Sequence, residues 1–93
     1  MHARVSTYEG DAEELVRAFD SVAGPLDEID GFRKAYFLVD RSGGRAISIT
    51  LWDSEEALEA SVQRANELRE EASSSAGASI ASVDHYEVAL EID

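Results

Sequence analysis

The sequence predicts one α+β domain in which four strands and two helices follow one another in the order βαββαβ. Three observations lead to this fold class. Two stretches carry apolar residues at helical spacing. Four stretches alternate or run apolar as strands do, and a glycine-containing turn joins the second strand to the third. A chain of 93 residues has the length of a single domain, which we place over residues 1–93.

The first strand and the first helix are predicted near the N-terminus. Residues 3–8 alternate as a strand does, and Asp11 followed by Glu14 has the spacing of a helix N-cap. Pro25 is expected to end or kink the helix near Ala23, because proline lacks an amide hydrogen and clashes with the turn before it. The helix carries an apolar stripe formed by Leu15, Val16, Phe19, Val22, Ala23 and Leu26.

The remaining elements are predicted from the same patterns. In order along the chain they are a strand over 32–40, a hairpin turn over 41–44, a strand over 45–52, a helix over 55–72, a flexible link over 73–79 and a strand over 83–92. Two right-handed β-α-β crossovers joined by the hairpin give the ferredoxin-like arrangement, a four-stranded antiparallel sheet with two helices on one face.

The two faces of this sheet are expected to pack against different partners. The helices are expected to cover the face that carries Val5, Ile47, Ile49, Leu51, Val88 and Leu90. The opposite face, which no helix covers, then carries the aromatic residues Tyr8, Phe32, Tyr36 and Trp52. An apolar patch of this kind on a small domain marks an interface. We therefore expect a homodimer, in which two sheets pack face to face to close a barrel.

Composition excludes several function classes. The net charge of −12, from 8 Lys+Arg against 20 Asp+Glu, would repel a nucleic-acid backbone, so we expect no nucleic-acid partner. No apolar run approaches the roughly 18 residues of a membrane span, and the first residues lack a signal-peptide core, which predicts a cytoplasmic protein with no membrane partner. The absence of cysteine excludes disulfides, thiolate metal sites and a cysteine nucleophile.

Three consecutive runs carry a family resemblance. Residues 31–39 (GFRKAYFLV), 46–52 (AISITLW) and 53–58 (DSEEAL) resemble the antibiotic biosynthesis monooxygenase (ABM) family. The runs cover part of the chain, and the element order agrees over nearly all of it. The resemblance implies a dimeric α/β-barrel architecture, but it says less about function because one fold hosts many activities.

The resemblance leaves two function classes open. The first is a cofactor-independent monooxygenase acting on a small aromatic or polyketide-like molecule, where the electron-rich substrate itself reduces oxygen and the protein binds it, stabilises its anion and excludes water. The second is a non-catalytic dimeric module that binds a small ligand or has a structural role. Neither class calls for a cofactor, and the catalytic residues stay unknown.

Haem chemistry of the kind found in some family members is not expected. Those members use an asparagine on the first strand and a tryptophan and a haem-binding histidine on the second helix. By alignment on the run at 52–56, this sequence has Ser61 in place of the tryptophan and Glu71 in place of the histidine, with Ser6 or Thr7 in place of the asparagine. We therefore predict a protein without haem.

Six polar or aromatic residues are candidates for ligand binding: Arg33, Tyr36, Trp52, Asn66, His85 and Tyr86. Each also has a purely structural interpretation, as a packed aromatic, an exposed amide or an ion-paired arginine. His85 and Glu87 share one strand face and His2 could lie beside them, a set that could in principle hold iron or zinc. We favour a solvated or salt-bridged His85 and predict no metal. No phosphate-binding glycine loop or G-x-S-x-G motif is present.

Two places could hold a ligand in this fold: the barrel interior between two sheets, and the cleft between each sheet and its own helices. We favour the cleft, since an eight-stranded barrel leaves room for little beyond side chains. The cleft is expected to be edged by Phe19, Val22, Ala57, Ser61 and Ala65. Alternatively, the small residues among them only let the helix pack closely.

Overall fold

The computed structural model describes residues 1–93 and confirms the βαββαβ order. The elements are β1 (His2–Glu9), α1 (Ala12–Asp27), β2 (Phe32–Asp40), β3 (Arg45–Trp52), α2 (Glu55–Ala60), α3 (Val62–Ala76) and β4 (Ser79–Glu87). The strands form one antiparallel sheet in the order β2-β3-β1-β4. None of the three helices has the length and apolar character needed to cross a bilayer.

The first helix continues beyond Pro25. Asp11 caps α1 by accepting the Glu14 amide hydrogen at 3.0 Å, as predicted, but the helix continues to Asp27 with Pro25 inside it. Of the two outcomes predicted for Pro25, an end or a kink, an end near Ala23 was therefore wrong. The residue after the proline, Leu26, is buried in the core, and packing of an apolar side chain outweighs the loss of one backbone hydrogen bond.

The second predicted helix is two helices that meet at Ser61. The Ser61 hydroxyl donates to the Leu58 carbonyl at 2.6 Å, and the guanidinium of Arg4 on β1 donates to the same carbonyl at 3.0 Å. The Leu58 carbonyl thus accepts from two side chains as well as from the Ser61 amide at 3.2 Å. A serine side chain that competes with the backbone for a carbonyl favours a bend or break in a helix. The sequence pattern shows only the apolar stripe and not this break.

The last helix and the last strand have different boundaries along the sequence from those predicted. The expected link over 73–79 is helical up to Ala76, and Gly77 ends α3 in the left-handed conformation with φ of 65°. Strand β4 then starts at Ser79 and ends at Glu87, short of the predicted end at 92. The last pair between the two strands is His2 with Glu87, and the Val88 amide then donates to the Met1 carbonyl at 2.9 Å, so the ladder runs out where β1 begins.

The helices cover the opposite sheet face from the one expected. Tyr8 and Trp52 lie beneath the helices in the main core, while Val5, Ile47, Ile49 and Leu51 lie on the helix-free face. Phe32 also packs toward the core, edge-on to Trp52 with ring centroids 5.5 Å apart. The core consists of Tyr8, Leu15, Ala18, Phe19, Val22, Leu26, Ala46, Trp52, Leu58, Leu68 and Ala72.

The helix-free face is nevertheless apolar. Tyr36, Ile49 and Val5 form one row across three strands, and Leu38, Ile47 and Thr7 form the next. Tyr36 is 49% exposed and Leu38 is 48% exposed. Tyr36 thus lies on the face expected for it, whereas Val88 and Leu90 lie beyond the sheet. Both faces present apolar residues, and alternation alone cannot tell which of them the helices cover.

Candidate functional site

A small cavity lies between the sheet and its helices, in the cleft favoured from the sequence. Its volume is about 40 Å³. The sheet side is formed by small polar residues in the middle of the central strands, which leave space below the helices. The lining residues are Arg4, Ser6, Tyr8, Phe19, Val22, Leu26, Phe37, Ser48, Thr50, Ala65, Leu68, Arg69 and Ala72. Phe19, Val22 and Ala65 are therefore at the cleft as expected, whereas Ala57 and Ser61 do not line the cavity.

Aromatic rings form one wall of the cavity. Phe19 of α1 stacks on Phe37 of β2 with centroids 4.6 Å apart, and it meets Tyr8 of β1 edge-on at 5.1 Å. The Tyr8 hydroxyl lies 3.2 Å from the Ser48 hydroxyl. Burial raises the pKa of Tyr8, so its phenol keeps its proton at neutral pH and can donate a hydrogen bond.

The most unusual group in this cavity is the guanidinium of Arg4, whose side chain is nearly fully buried. Its Nη2 donates to the Leu58 carbonyl at 3.0 Å and to the Ser61 hydroxyl at 3.1 Å, and Nε donates to His85 Nε2 at 3.2 Å. The guanidinium also lies 5.5 Å from the Trp52 ring centroid. Burial lowers the pKa of Arg4 to about 10, with nearby Arg69 contributing, so it stays charged at neutral pH.

Arg69 brings a second positive charge to the cavity. It lies on α3, is only partly exposed, and its Nη2 donates to the Asn66 side-chain oxygen one helical turn earlier. Burial lowers the pKa of Arg69 as well. Two guanidinium groups therefore share a largely apolar cavity in a protein whose net charge is −12.

None of the six residues predicted to bind a ligand lines this cavity. Three of them contact its arginines: Trp52 and His85 contact Arg4, and Asn66 contacts Arg69. The other three lie elsewhere. Arg33 pairs with Asp53 at 3.0 Å, and Tyr36 and Tyr86 are exposed on the helix-free face.

Sequence reasoning missed Arg4 and Arg69 as cavity residues. Arg4 lies on the same face of β1 as Tyr8, because the two are an even number of residues apart. It would have been predicted to lie under the helices if the helices had been assigned to that face. Arg69 follows Leu68 directly on α3 and has no distinguishing local pattern. Its place at the cavity depends on how α3 crosses the sheet.

The histidines lie at a separate surface groove of about 220 Å³. His2 pairs across the strands with Glu87, as the sequence suggested it could, and its Nε2 lies 3.8 Å from Glu55. The Nε2 atom of His85 already accepts a hydrogen bond from Arg4. The chain has no group of three or more acidic or histidine side chains that converge as metal ligands would.

A third hollow, of about 420 Å³, opens on the surface near the end of the β2–β3 hairpin. Leu38 and Ile47 belong to its apolar part, and Asp40 and Arg45, paired at 2.8 Å, to its polar part. The Arg45, Gly43 and Ser42 donors lower the pKa of Asp40 to about 2. Because Leu38 and Ile47 are on the helix-free face, this hollow adjoins the surface that a second copy of the chain would cover.

Comparison with known proteins gives the family. The sequence profile described as "Antibiotic biosynthesis monooxygenase" matches residues 1–70. An uncharacterized protein of Mycobacterium tuberculosis H37Rv, Rv2558, is 39% identical over 71 residues, which is 76% of this chain and 30% of that protein. A second one, Rv2557, is 36% identical over 70 residues, 75% of this chain and 31% of that protein. The chain thus spans about a third of the length of these relatives.

Solved structures share the fold over nearly the whole chain. SnoaB of Streptomyces nogalater, described as a cofactor-independent oxygenase, superposes with a TM-score of 0.75 at 14% identity, covering 98% of this chain and 95% of that chain. The heme-degrader MhuD of M. tuberculosis gives 0.75 at 23% identity, with both chains fully covered. A monooxygenase of Streptomyces coelicolor, ActVA-Orf6 bound to nanaomycin D, superposes with a TM-score of 0.67 at 21% sequence identity. The match covers 99% of this chain and 92% of that chain. The profile match over most of the chain, with this fold, shows that the chain belongs to the antibiotic biosynthesis monooxygenase family.

Proposed function

We propose that this protein oxygenates a small electron-rich aromatic molecule in the cavity between sheet and helices, without a cofactor. The substrate would be a phenol. One atom of O₂ adds to a ring carbon, and the other leaves as water with the ring C–H hydrogen and the phenol hydrogen. The ring gives up four electrons and becomes a quinone, so no outside reductant is consumed.

The cavity lining supports this proposal, and it is the observation that carries it. Phe19 and Phe37 offer flat apolar walls against which an aromatic ring can stack. Tyr8 can donate a hydrogen bond to a substrate oxygen, and Ser48 and Thr50 supply further hydroxyls nearby. An apolar site with a few convergent polar groups is the usual form of a small-molecule pocket.

Substrate entry would require the cleft to open. A cavity of about 40 Å³ holds roughly three water molecules at about 10–15 Å³ each. Pockets for aromatic ligands of drug size are about 300–1,000 Å³. We infer that the side chains of Phe19, Phe37 and Arg69 move apart when a ligand binds.

Oxygen uptake tests this function. Purified protein is mixed with naphthols and anthrols in an oxygen electrode, and quinone formation is followed by absorbance. Ala65→Leu fills the cavity and should abolish uptake, whereas Ala60→Leu, at an exposed position of α2, should leave it unchanged. Both variants are checked for folding by circular dichroism. No uptake with any of these phenols would count against an oxygenase.

A non-catalytic binding module is the alternative, and one observation favours it. The titratable groups that line the cavity are Arg4, Tyr8 and Arg69, and none of them is a base at neutral pH. A substrate would therefore have to lose its proton without a protein base beside it. Tight binding of phenols with no oxygen uptake would support this alternative.

We also propose that the protein is a homodimer that packs through its helix-free sheet face. The exposed rows that contain Tyr36 and Leu38 support this assembly, because a monomer would leave both rows in water. An obligate interface of this kind buries about 2,000 Å² or more in total. Sedimentation should give twice the monomer mass at micromolar concentration, and a monomer there would contradict the proposal.

A further inference from the structure

Charge pairing separates the seven arginines into two groups. Five of them pair with a carboxylate: Arg17 with Glu14, Arg33 with Asp53, Arg41 with Glu13, Arg45 with Asp40 and Arg64 with Glu67. The two without such a partner are Arg4 and Arg69, and both line the cavity. This occurs in a chain with 20 acidic residues, which could readily have supplied partners.

The Arg4 guanidinium also has unused hydrogen-bond donors. Its Nε and Nη2 groups donate to His85, Leu58 and Ser61, whereas Nη1 is buried and has no partner. All three acceptors are neutral. A buried cation without a counter-ion is costly, and such a charge is normally paired. The missing partner is therefore an anion that the chain itself does not provide.

We propose that Arg4 and Arg69 form an anion-binding site for a carboxylate or phenolate oxygen, carried by a ligand whose apolar body lies against Phe19 and Phe37. The proposal deepens the proposed function because it fixes the charge of the ligand in the same cavity. It does not depend on oxygen chemistry, since a binding module would need the same recognition.

The surroundings make the site selective for anions. Most of the protein surface repels anions, but the low-dielectric cavity strengthens the attraction of the two guanidinium groups for a bound anionic oxygen. Arg4 is nearly fully buried and Arg69 only partly so. We infer that Arg69 meets an entering anion first and that Arg4 binds it at the inner end of the cavity.

The test compares an aromatic acid with its neutral amide. Naphthoate and naphthamide have nearly the same shape and differ in charge, and calorimetry gives the affinity of the wild-type protein for each. Naphthoate should bind at least about tenfold more tightly, since a hydrogen bond to a charged group contributes about that factor or more. Equal affinities, or binding of neither naphthoate nor acetate, would overturn the proposal.

Variants then assign the effect to these arginines. Arg69→Gln and Arg4→Met should each weaken naphthoate binding by about tenfold or more and weaken naphthamide binding by a smaller factor, because the amide carries no charge. Arg64→Gln is the matched control, because it removes one positive charge from the same helix at an arginine already paired with Glu67. An equal loss in Arg64→Gln would indicate a general charge effect and contradict the site.

Acetate separates this proposal from the proposed function, because it has the charge but lacks the aromatic body. Thermal stabilisation by acetate at constant ionic strength, lost in Arg69→Gln, would support the anion site even if no aromatic ligand binds. Stabilisation by acetate without binding of naphthoate or naphthamide would count against an aromatic substrate. Binding of naphthamide and naphthoate with equal affinity would keep the aromatic pocket and reject the anion site.

Discussion

Arg4 Nε donates a hydrogen bond to Nε2 of His85, 3.2 Å away, where β1 and β4 pair side by side. To accept this bond, the His85 ring must be neutral and carry its proton on Nδ1. The pKa of His85 is lowered by partial burial first, and then by the nearby charges of Arg4 and Arg69. Glu59 and Asp84 act in the opposite direction and only partly offset this.

This contact predicts how stability changes with pH. Because the pKa of His85 in the folded protein is below its ordinary value of about 6.5, the unfolded chain binds the proton more readily. The His85 contribution therefore leaves the free energy of unfolding unaffected well above pH about 6.5 and lowers it as pH falls below that value. Urea unfolding between about pH 7.5 and pH 5 measures the change.

The His85→Gln variant is the control for this pH effect. The glutamine amide oxygen can accept from Arg4 but does not titrate. The variant should therefore lose less stability than the wild-type protein over the same pH range. Identical pH profiles for the two proteins would show that His85 is not responsible.

The unpaired charge of Arg4 predicts a stabilising substitution. Arg4→Met removes a buried cation that has no counter-ion, and the Ser61 hydroxyl still bonds the Leu58 carbonyl at 2.6 Å. We expect the free energy of unfolding to rise by about 1–2 kcal/mol. The Tm should rise by about 4–8 °C for each kcal/mol. Arg33→Met, which breaks an exposed ion pair, should change it by less than about 0.5 kcal/mol. A lower Tm for Arg4→Met would show that its hydrogen bonds outweigh the cost of its burial.

The helix-free face predicts how the proposed dimer can be broken. Ile49 lies between Tyr36 and Val5 in the middle of that face. Ile49→Asp would bury an unpaired carboxylate in the interface at a cost of several kcal/mol, so the protein should become monomeric. Val16→Asp places the same charge at an exposed position of α1 and should remain dimeric. Light scattering after size-exclusion chromatography reports both masses, and two unchanged masses would place the interface elsewhere.

The same substitution at two glycines should have very different costs. Gly31 has φ of 83°, and an added Cβ would clash with the Ala57 side chain, so Gly31→Ala should destabilise by at least about 1–2 kcal/mol. Gly24 lies inside α1, where an added Cβ meets no atom within 4 Å apart from its chain neighbours, but it precedes Pro25, whose ring disfavours the helical conformation of a residue with a Cβ. Gly24→Ala should therefore change stability by less than about 1 kcal/mol, because the gain in helix propensity is opposed by this restriction. Thermal unfolding of both variants measures the two effects, and equal losses of stability would contradict the clash at Gly31.

Absence of bound haem is also expected. The three positions where the family resemblance would require haem-binding groups hold Ser61, Glu71 and either Ser6 or Thr7. Ser61 is buried against the Leu58 carbonyl, and Glu71 is an exposed residue of α3. Protein purified from cells supplied with haem should show no Soret absorption band. A stoichiometric Soret band would contradict this prediction.

Local patterns were sufficient to predict most of the fold. The Asp11 cap, the turn at 41–44 and the alternation of β3 each depend on residues close together in the sequence. The element order, the antiparallel sheet and the family followed from them. The boundaries near Pro25, Ser61 and Glu87 that differ from prediction have one physical cause, because each depends on a contact with a distant element.

What the sequence by itself determined is therefore the set of elements and their order, since helix stripes, caps and turns are local. Only the tertiary structure decided which sheet face the helices cover, because both faces are apolar enough to need cover. The same choice placed Arg4 in the cavity, where its partners Leu58, Ser61 and His85 lie 54, 57 and 81 residues away along the chain. A charge buried by contacts that distant has no local sequence pattern, and so the anion site could be found only from the packed fold.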